Sequence, residues 1–116
     1  MIKAEFDVMG EDGISLHISG HSETGRGDGR LVCAAVSGIA YALAGYLCKF
    51  KEGESKILSF KSGELAVECK RSCEEALKMT YVGLTKLAIS YPDHLKLTNR
   101  VWYRDSLFLI TSHFCA

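Results

Sequence analysis

Apolar and polar residues alternate from the start of the chain. Ile2, Ala4, Phe6 and Val8 are interleaved with Lys3, Glu5 and Asp7, and Ile14, Leu16 and Ile18 with Ser15, His17 and Ser19. A period of two sends one set to each face of a strand. The turn-forming string Met9-Gly10-Glu11-Asp12-Gly13 between the runs predicts a hairpin of strands 2–8 and 14–20. After a glycine-studded stretch at 21–29, a helix is predicted from about residue 29 to 50, ended by Gly53. Residues 56–60 and 64–69, separated by Lys61-Ser62-Gly63, predict a second hairpin. Ser72-Cys73-Glu74-Glu75 has the form of a capping box, serine at the cap and glutamate three residues on. The helix it opens sets Leu77, Tyr81, Leu84, Ala88 and Tyr91 on one stripe with Leu87 beside it, and Pro92 ends it. A last strand is predicted at 94–98.

The order ββαββαβ predicts a two-layer α/β sandwich, a mixed sheet with both helices on one face. Residues 1–99 read as a single domain and 100–116 as a tail or extra strand, carrying Val101-Trp102-Tyr103 and Leu107-Phe108-Leu109-Ile110-Thr111. The second face of the sheet is left to solvent or to another subunit. A chain of 116 residues is long enough to bury a core without disulfides or metal.

Composition narrows the function classes. The 14 basic and 14 acidic residues cancel, so no basic field offers itself to a nucleic-acid backbone. The charged, alternating N-terminus is unlike a signal peptide, which points to the cytoplasm. Residues 31–48 carry no charge and reach the length of a membrane span, but two glycines, a serine and five alanines leave them little bulk. A helix packed on a sheet is the better reading, with no membrane partner. Five cysteines, at 33, 48, 69, 73 and 115, are an odd number without paired spacing. They read as free thiols in a reducing compartment, with neither metal nor cofactor expected.

The chemistry concentrates in the string from Gly20 to Ser37. A strand ends at Gly20-His21, and Gly20, Gly25, Gly27 and Gly29 give the loop after it the freedom to close over a substrate. Cys33 then falls in the first turn of the helix, where the positive end of the backbone dipole favours a thiolate. His21, brought back by the loop, is placed to take the thiol proton and return it to a leaving group. The amides of 31–34, unpaired at a helix start, are candidate donors to an oxyanion. Ser37 lies one turn beyond Cys33 on the same face, in reach of the thiolate or a substrate backbone group. The competing reading is a flexible turn before an inert core cysteine, with Ser37 a helix-packing residue and His17 and His94 without evident partners.

Gly20-His21 followed after eleven residues by Cys33, within Leu31-Val32-Cys33-Ala34-Ala35-Val36-Ser37, resembles the ribosomal-processing cysteine proteases (Prp). Tyr91-Pro92-Asp93-His94-Leu95-Lys96-Leu97 resembles the end of that family's second helix and its last strand. The likeness covers about residues 1–99. It implies an α/β sandwich that forms a homodimer, with Cys33 as nucleophile, His21 as its base and Ser37 matching a recurrent serine. It also implies a substrate, the N-terminal extension of the twenty-seventh large-subunit ribosomal protein, cut after an aromatic pair and before alanine. Family members carry an aspartate three residues before the cysteine, where this chain has Arg30, with Asp28 two positions earlier. Whether Asp28 supports His21, or Arg30 favours the thiolate instead, stays open at this point. So does a second reading, a weakened relative that binds a ribosomal protein without cleaving it.

Overall fold

The computed structural model describes residues 1–22 and 27–102. The elements run β1 (Ile2–Met9), β2 (Gly13–Ser19), α1 (Gly27–Phe50), β3 (Ser55–Lys61), β4 (Glu64–Lys70), a single 3-10 turn (Arg71–Cys73), α2 (Glu74–Ser90) and β5 (Leu95–Asn99). This is the expected ββαββαβ order. The five strands form one sheet in the order β3-β4-β2-β1-β5. β5 runs parallel to β1 and the other pairs are antiparallel, so the sheet is mixed.

The alternation read along each strand becomes rows across the sheet. Ala4, Ile18 and Leu65 stand in one row and Phe6, Leu16 and Val67 in the next, all buried. Both helices cover this face. α1 lays Val32, Val36, Ala40, Leu43, Ala44 and Leu47 on it, and α2 lays Leu77, Tyr81 and Leu84. Each large side chain buried this way contributes about 1.5–3 kcal/mol. The helices approach each other at Gly83, where a Cβ would stand 3.2 Å from Ile39 Cδ1. The opposite face is polar: His17 Nε2 lies 3.0 Å from Glu64 Oε2, and Glu5 lies on its other side. That hydrogen bond, helped by one from Ser59, holds the Glu64 carboxyl below the usual carboxylate range.

Residues 28–50 are long and apolar enough to cross a membrane, with a mean hydropathy of 1.9 in the relevant window. Here the helix is the inner layer of the sandwich on one side, while Tyr41, Tyr46 and Phe50 stand exposed on the other.

Two local expectations are corrected. The capping box at Ser72 does not form: α2 begins after Cys73, whose side chain makes no capping bond. The 3-10 turn before it is held instead by the backbone, Lys70 N–H to the Glu54 carbonyl and Arg71 N–H to that of Asp12, so tertiary pairing has overridden the local motif. α1 begins at Gly27 rather than near residue 29, so Gly27 and Gly29 stand in its first turn and not in the loop before it.

One departure from strict alternation shapes the molecule. Between Ile57 and Ser59 the register of β3 against β4 shifts, leaving Leu58 as an extra, exposed residue. Such a bulge reverses which face the following residues address. Ile57 opposes Val67 and Phe60 opposes Leu65, so both look to the helix side. Without the bulge Phe60 would point to the polar face.

The chain beyond β5 folds back at once. Asn99 Oδ1 accepts from the N–H groups of Val101 and Trp102, both at 2.9 Å, and its Nδ2 donates to the Trp102 carbonyl. This side-chain turn sets Trp102 against Phe6 and Tyr81, ring centroids 5.5 and 5.2 Å away. Residues 100–102 of the expected tail therefore pack on the domain; 103–116 lie outside the described residues.

Trp102 Nε1 donates to Glu74 Oε2 at 2.8 Å, the main reason the Glu74 carboxyl is held below its ordinary range. A carboxyl depressed in the folded state stabilises the fold above its unfolded value, and the contribution disappears as pH falls through the folded one. Glu74→Gln is expected to lower stability by about 1 kcal/mol at neutral pH and to have no effect in strong acid, checked by thermal melts across pH. Thr85 is 1% exposed and its hydroxyl has no hydrogen-bond partner among the described residues. Thr85→Val removes that unsatisfied group at nearly constant volume and is expected to raise stability by about 1 kcal/mol in a denaturant titration.

Candidate functional site

The site lies where β2 ends, and backbone pairing builds it. Beyond Ser19 the ladder continues one step, with Gly20 N–H donating to the Gly63 carbonyl at 2.9 Å. Gly20 then turns the chain at φ +100°, with a Cβ there only 2.4 Å from the Met1 carbonyl oxygen, so no other residue fits. The turn delivers His21 to the end of the sheet, its carbonyl accepting from Met1 N at 2.7 Å. The imidazole lies against Gly63 in the β3–β4 turn: a Cβ on Gly63 would approach His21 Nε2 to 2.3 Å. Gly63 is thus required twice, for its φ of +79° and for the ring above it.

Ser22, 3% exposed, reaches the helix. Its N–H donates to Cys33 Sγ at 3.2 Å, and Cys33 Sγ lies 3.8 Å from the Ser22 carbonyl. Its hydroxyl is hydrogen-bonded to His94 Nδ1, a partner that sequence reading did not find for this histidine. Cys33 is half-buried, and Cys33, Ser37 and Tyr41 follow at four-residue steps along one side of α1. These three and His21 line a cleft of about 550 Å³ between α1 and the β3–β4 hairpin. Tyr41, 68% exposed, meets Phe60 edge to face across it, centroids 5.1 Å apart.

The structure therefore gathers Gly20, His21, Cys33 and Ser37 around one opening. Among the described residues, no hydrogen bond joins the His21 ring to Cys33. Asp28 and Arg30 are both exposed in the first turns of α1, and Gly25 lies outside the described residues. One expectation is overturned by the earlier helix start. With α1 beginning at Gly27, Cys33 falls in its second turn, and the amides of 31–34 are inside the helical ladder rather than free for an oxyanion. The dipole of the helix end acts mainly over the first turn, so the donor nearest the sulfur is the Ser22 N–H.

The family profile of the cysteine protease Prp matches residues 1–96. The chain belongs to this family. A comparison with curated protein sequences finds no match. Among solved structures, the chain is similar to the ribosomal processing protease Prp from S. aureus in complex with a substrate peptide. The two share 16% identity over 86% of this chain and 100% of that one, with a TM-score of 0.72. The same protease with a covalently linked product peptide gives 17% identity, the same coverage and a TM-score of 0.69. SMU.848 from Streptococcus mutans gives 22% identity over 85% of this chain and 93% of that one, with a TM-score of 0.61. These likenesses are of fold.

In this Prp-family chain several residues at or behind the site were missed by sequence reasoning. Tyr41 was findable, because it continues the step from Cys33 through Ser37. Phe60 was not, since only the bulge at Leu58 turns it toward the cleft. Ser22 and His94 are 72 residues apart and meet only in three dimensions.

The other thiols are set apart by burial. Cys69 and Cys73 are 4% and 1% exposed, and Cys48 is exposed. Burial first, and the neighbouring Cys73 second, push the Cys69 thiol up to about 12. Iodoacetamide on the native protein is expected to label Cys48 and Cys33 well before Cys69 and Cys73, as read by peptide mass mapping.

Proposed function

We propose that this protein is a cysteine endopeptidase that removes the N-terminal extension of the twenty-seventh large-subunit ribosomal protein, cutting after an aromatic pair and before alanine. The observation that carries the reading is the half-buried Cys33 opening onto a cleft with His21 at its rim. Membership of the Prp family supports the chemistry. The substrate class is supported by the S. aureus relative, solved with a substrate peptide. The exposed edges of Tyr41 and Phe60 provide an apolar wall suited to the aromatic residues of such a peptide.

In this mechanism the Cys33 sulfur, as thiolate, attacks the scissile carbonyl carbon, and the carbonyl electron pair moves to oxygen. Collapse of the tetrahedral adduct breaks the C–N bond as His21 gives its proton to the departing amine. Water, deprotonated by His21, then hydrolyses the thioester and frees the thiolate. The His21 ring must leave its place over Gly63 to do this, a movement that substrate binding drives. Ser37 hydrogen-bonds the substrate backbone, and Asp28 orients the region of His21. The protein acts in the cytoplasm as a homodimer, for which the exposed apolar side of α1 at Tyr46 and Phe50 is the supporting surface.

A second reading has its own observation. Arg30 stands where the family carries an aspartate, and His21 makes no bond to Cys33 among the described residues; both fit a relative that binds a ribosomal protein without cutting it. Incubation with the organism's own full-length ribosomal protein, read by intact mass, separates the two. Loss of the N-terminal extension is expected, and binding without cleavage would favour the second reading. Cys33→Ala is expected to abolish cleavage with an unchanged melting temperature. His21→Ala should lower kcat/KM by about 100-fold or more, and Ser37→Ala by about tenfold or less.

A further inference from the structure

Ser22 is a polar residue buried to 3% exposure beside the reactive sulfur, and its two polar groups point in different directions. The N–H donates to Cys33 Sγ at 3.2 Å. The hydroxyl is taken by His94 Nδ1. His94 is in turn well anchored: its carbonyl accepts from Ile2 N–H at 2.9 Å and its N–H donates to the Tyr91 carbonyl at 3.0 Å. It thus sits at the junction where α2 ends, β5 begins and β1 runs alongside. The two imidazoles of the region are consequently divided. His21 lines the cleft over Gly63, while His94 is bonded to Ser22 and is not among the residues lining the cleft.

We propose that Ser22 and His94 are a positioning pair for the nucleophile: the imidazole of His94 holds the Ser22 side chain so that the Ser22 N–H stays aimed at Cys33 Sγ. The physical reason is geometric. The Ser22 N–H belongs to the peptide unit whose other end, the His21 carbonyl, is held by Met1 N. The bond from His94 to the Ser22 hydroxyl grips the residue from its side chain, so the N–H is aimed from both sides. A donor at hydrogen-bond distance from sulfur is worth most when sulfur carries negative charge. With the amides of 31–34 occupied in the helix, no other backbone donor of the described residues is bonded to this sulfur. Among the described residues His94 is hydrogen-bonded to Ser22 and not to the sulfur, and it does not line the cleft, so it acts through Ser22.

The kinetic part of this inference rests on the protease reading; the thiol reactivity part does not. In a Cys48→Ser, Cys115→Ser background, Ser22→Ala, His94→Ala, their double variant and His94→Asn are compared. One readout is the iodoacetamide alkylation rate of Cys33 at neutral pH, by intact mass; the other is peptide cleavage. Ser22→Ala and His94→Ala are each expected to slow alkylation and lower kcat by about tenfold with KM little changed. The double variant should be no slower than the worse single, because the two act as one unit. His94→Asn, whose amide replaces Nδ1 as hydrogen-bond partner, should restore most of the rate. An unchanged alkylation rate in Ser22→Ala would overturn the proposal, as would losses that multiply in the double variant. A His94→Asn variant as impaired as His94→Ala would do the same, showing only a packing role. If His94→Ala does not fold, Ser22→Ala and His94→Asn decide the matter. If wild type shows no cleavage but its alkylation follows the expected pattern, the protease reading fails and the positioning pair stands.

Discussion

Gly20 leaves β2 with its N–H still bonded to the Gly63 carbonyl, and two residues later the Ser22 N–H reaches the sulfur of Cys33. Those two backbone bonds tie the end of the sheet to the second turn of α1, and the geometry of the site follows from them. Gly20 is permitted by its positive φ and its contact with Met1, and Gly63 by its own φ and the ring of His21. Neither position has room for a side chain. A residue with a Cβ at either would push the strand end, the hairpin or the imidazole away, and the cleft between them would change shape.

The cleft exists because the two layers do not meet everywhere. α1 packs on the sheet through Val32, Val36 and Ala40, but the neighbouring positions Cys33, Ser37 and Tyr41 overhang the edge of the buried face. On the other wall the bulge at Leu58 brings Phe60 round to the same side. A residue inserted into one strand has thereby converted a solvent-facing aromatic into a lining of the opening. The polar face behind carries the His17–Glu64 pairing, so the two histidines of the β2 strand and its end serve opposite sides of the sheet.

Burial also sorts the cysteines. Cys69 and Cys73 are buried and behave as small core residues, and burial disfavours a charged sulfur at Cys69. Cys33 is half-exposed at the cleft with a backbone donor aimed at it. Similar spacing in the sequence would not have separated them, since both environments come from the assembled layers. The same is true of Trp102, whose burial the sequence leaves open and which is clasped by Phe6, Tyr81 and Glu74 through the turn at Asn99.

The linear chain by itself determined the element order, the alternation that gives the sheet one apolar and one polar face, and the nearness of His21, Cys33 and Ser37 to one another. These are local properties: periodicity and spacing act over a few residues and survive most changes of context. It did not determine where α1 starts, and the shift to Gly27 moved Cys33 one turn inward and closed off the amides expected at the sulfur. It misjudged the capping of α2, because pairing of Lys70 and Arg71 with distant carbonyls outweighed a local side-chain cap. Only the tertiary structure brought His94 to Ser22, turned Phe60 to the cleft and set Gly63 beneath His21. Each of these is a contact between segments far apart in sequence, fixed by strand register and layer packing, and no local pattern encodes it.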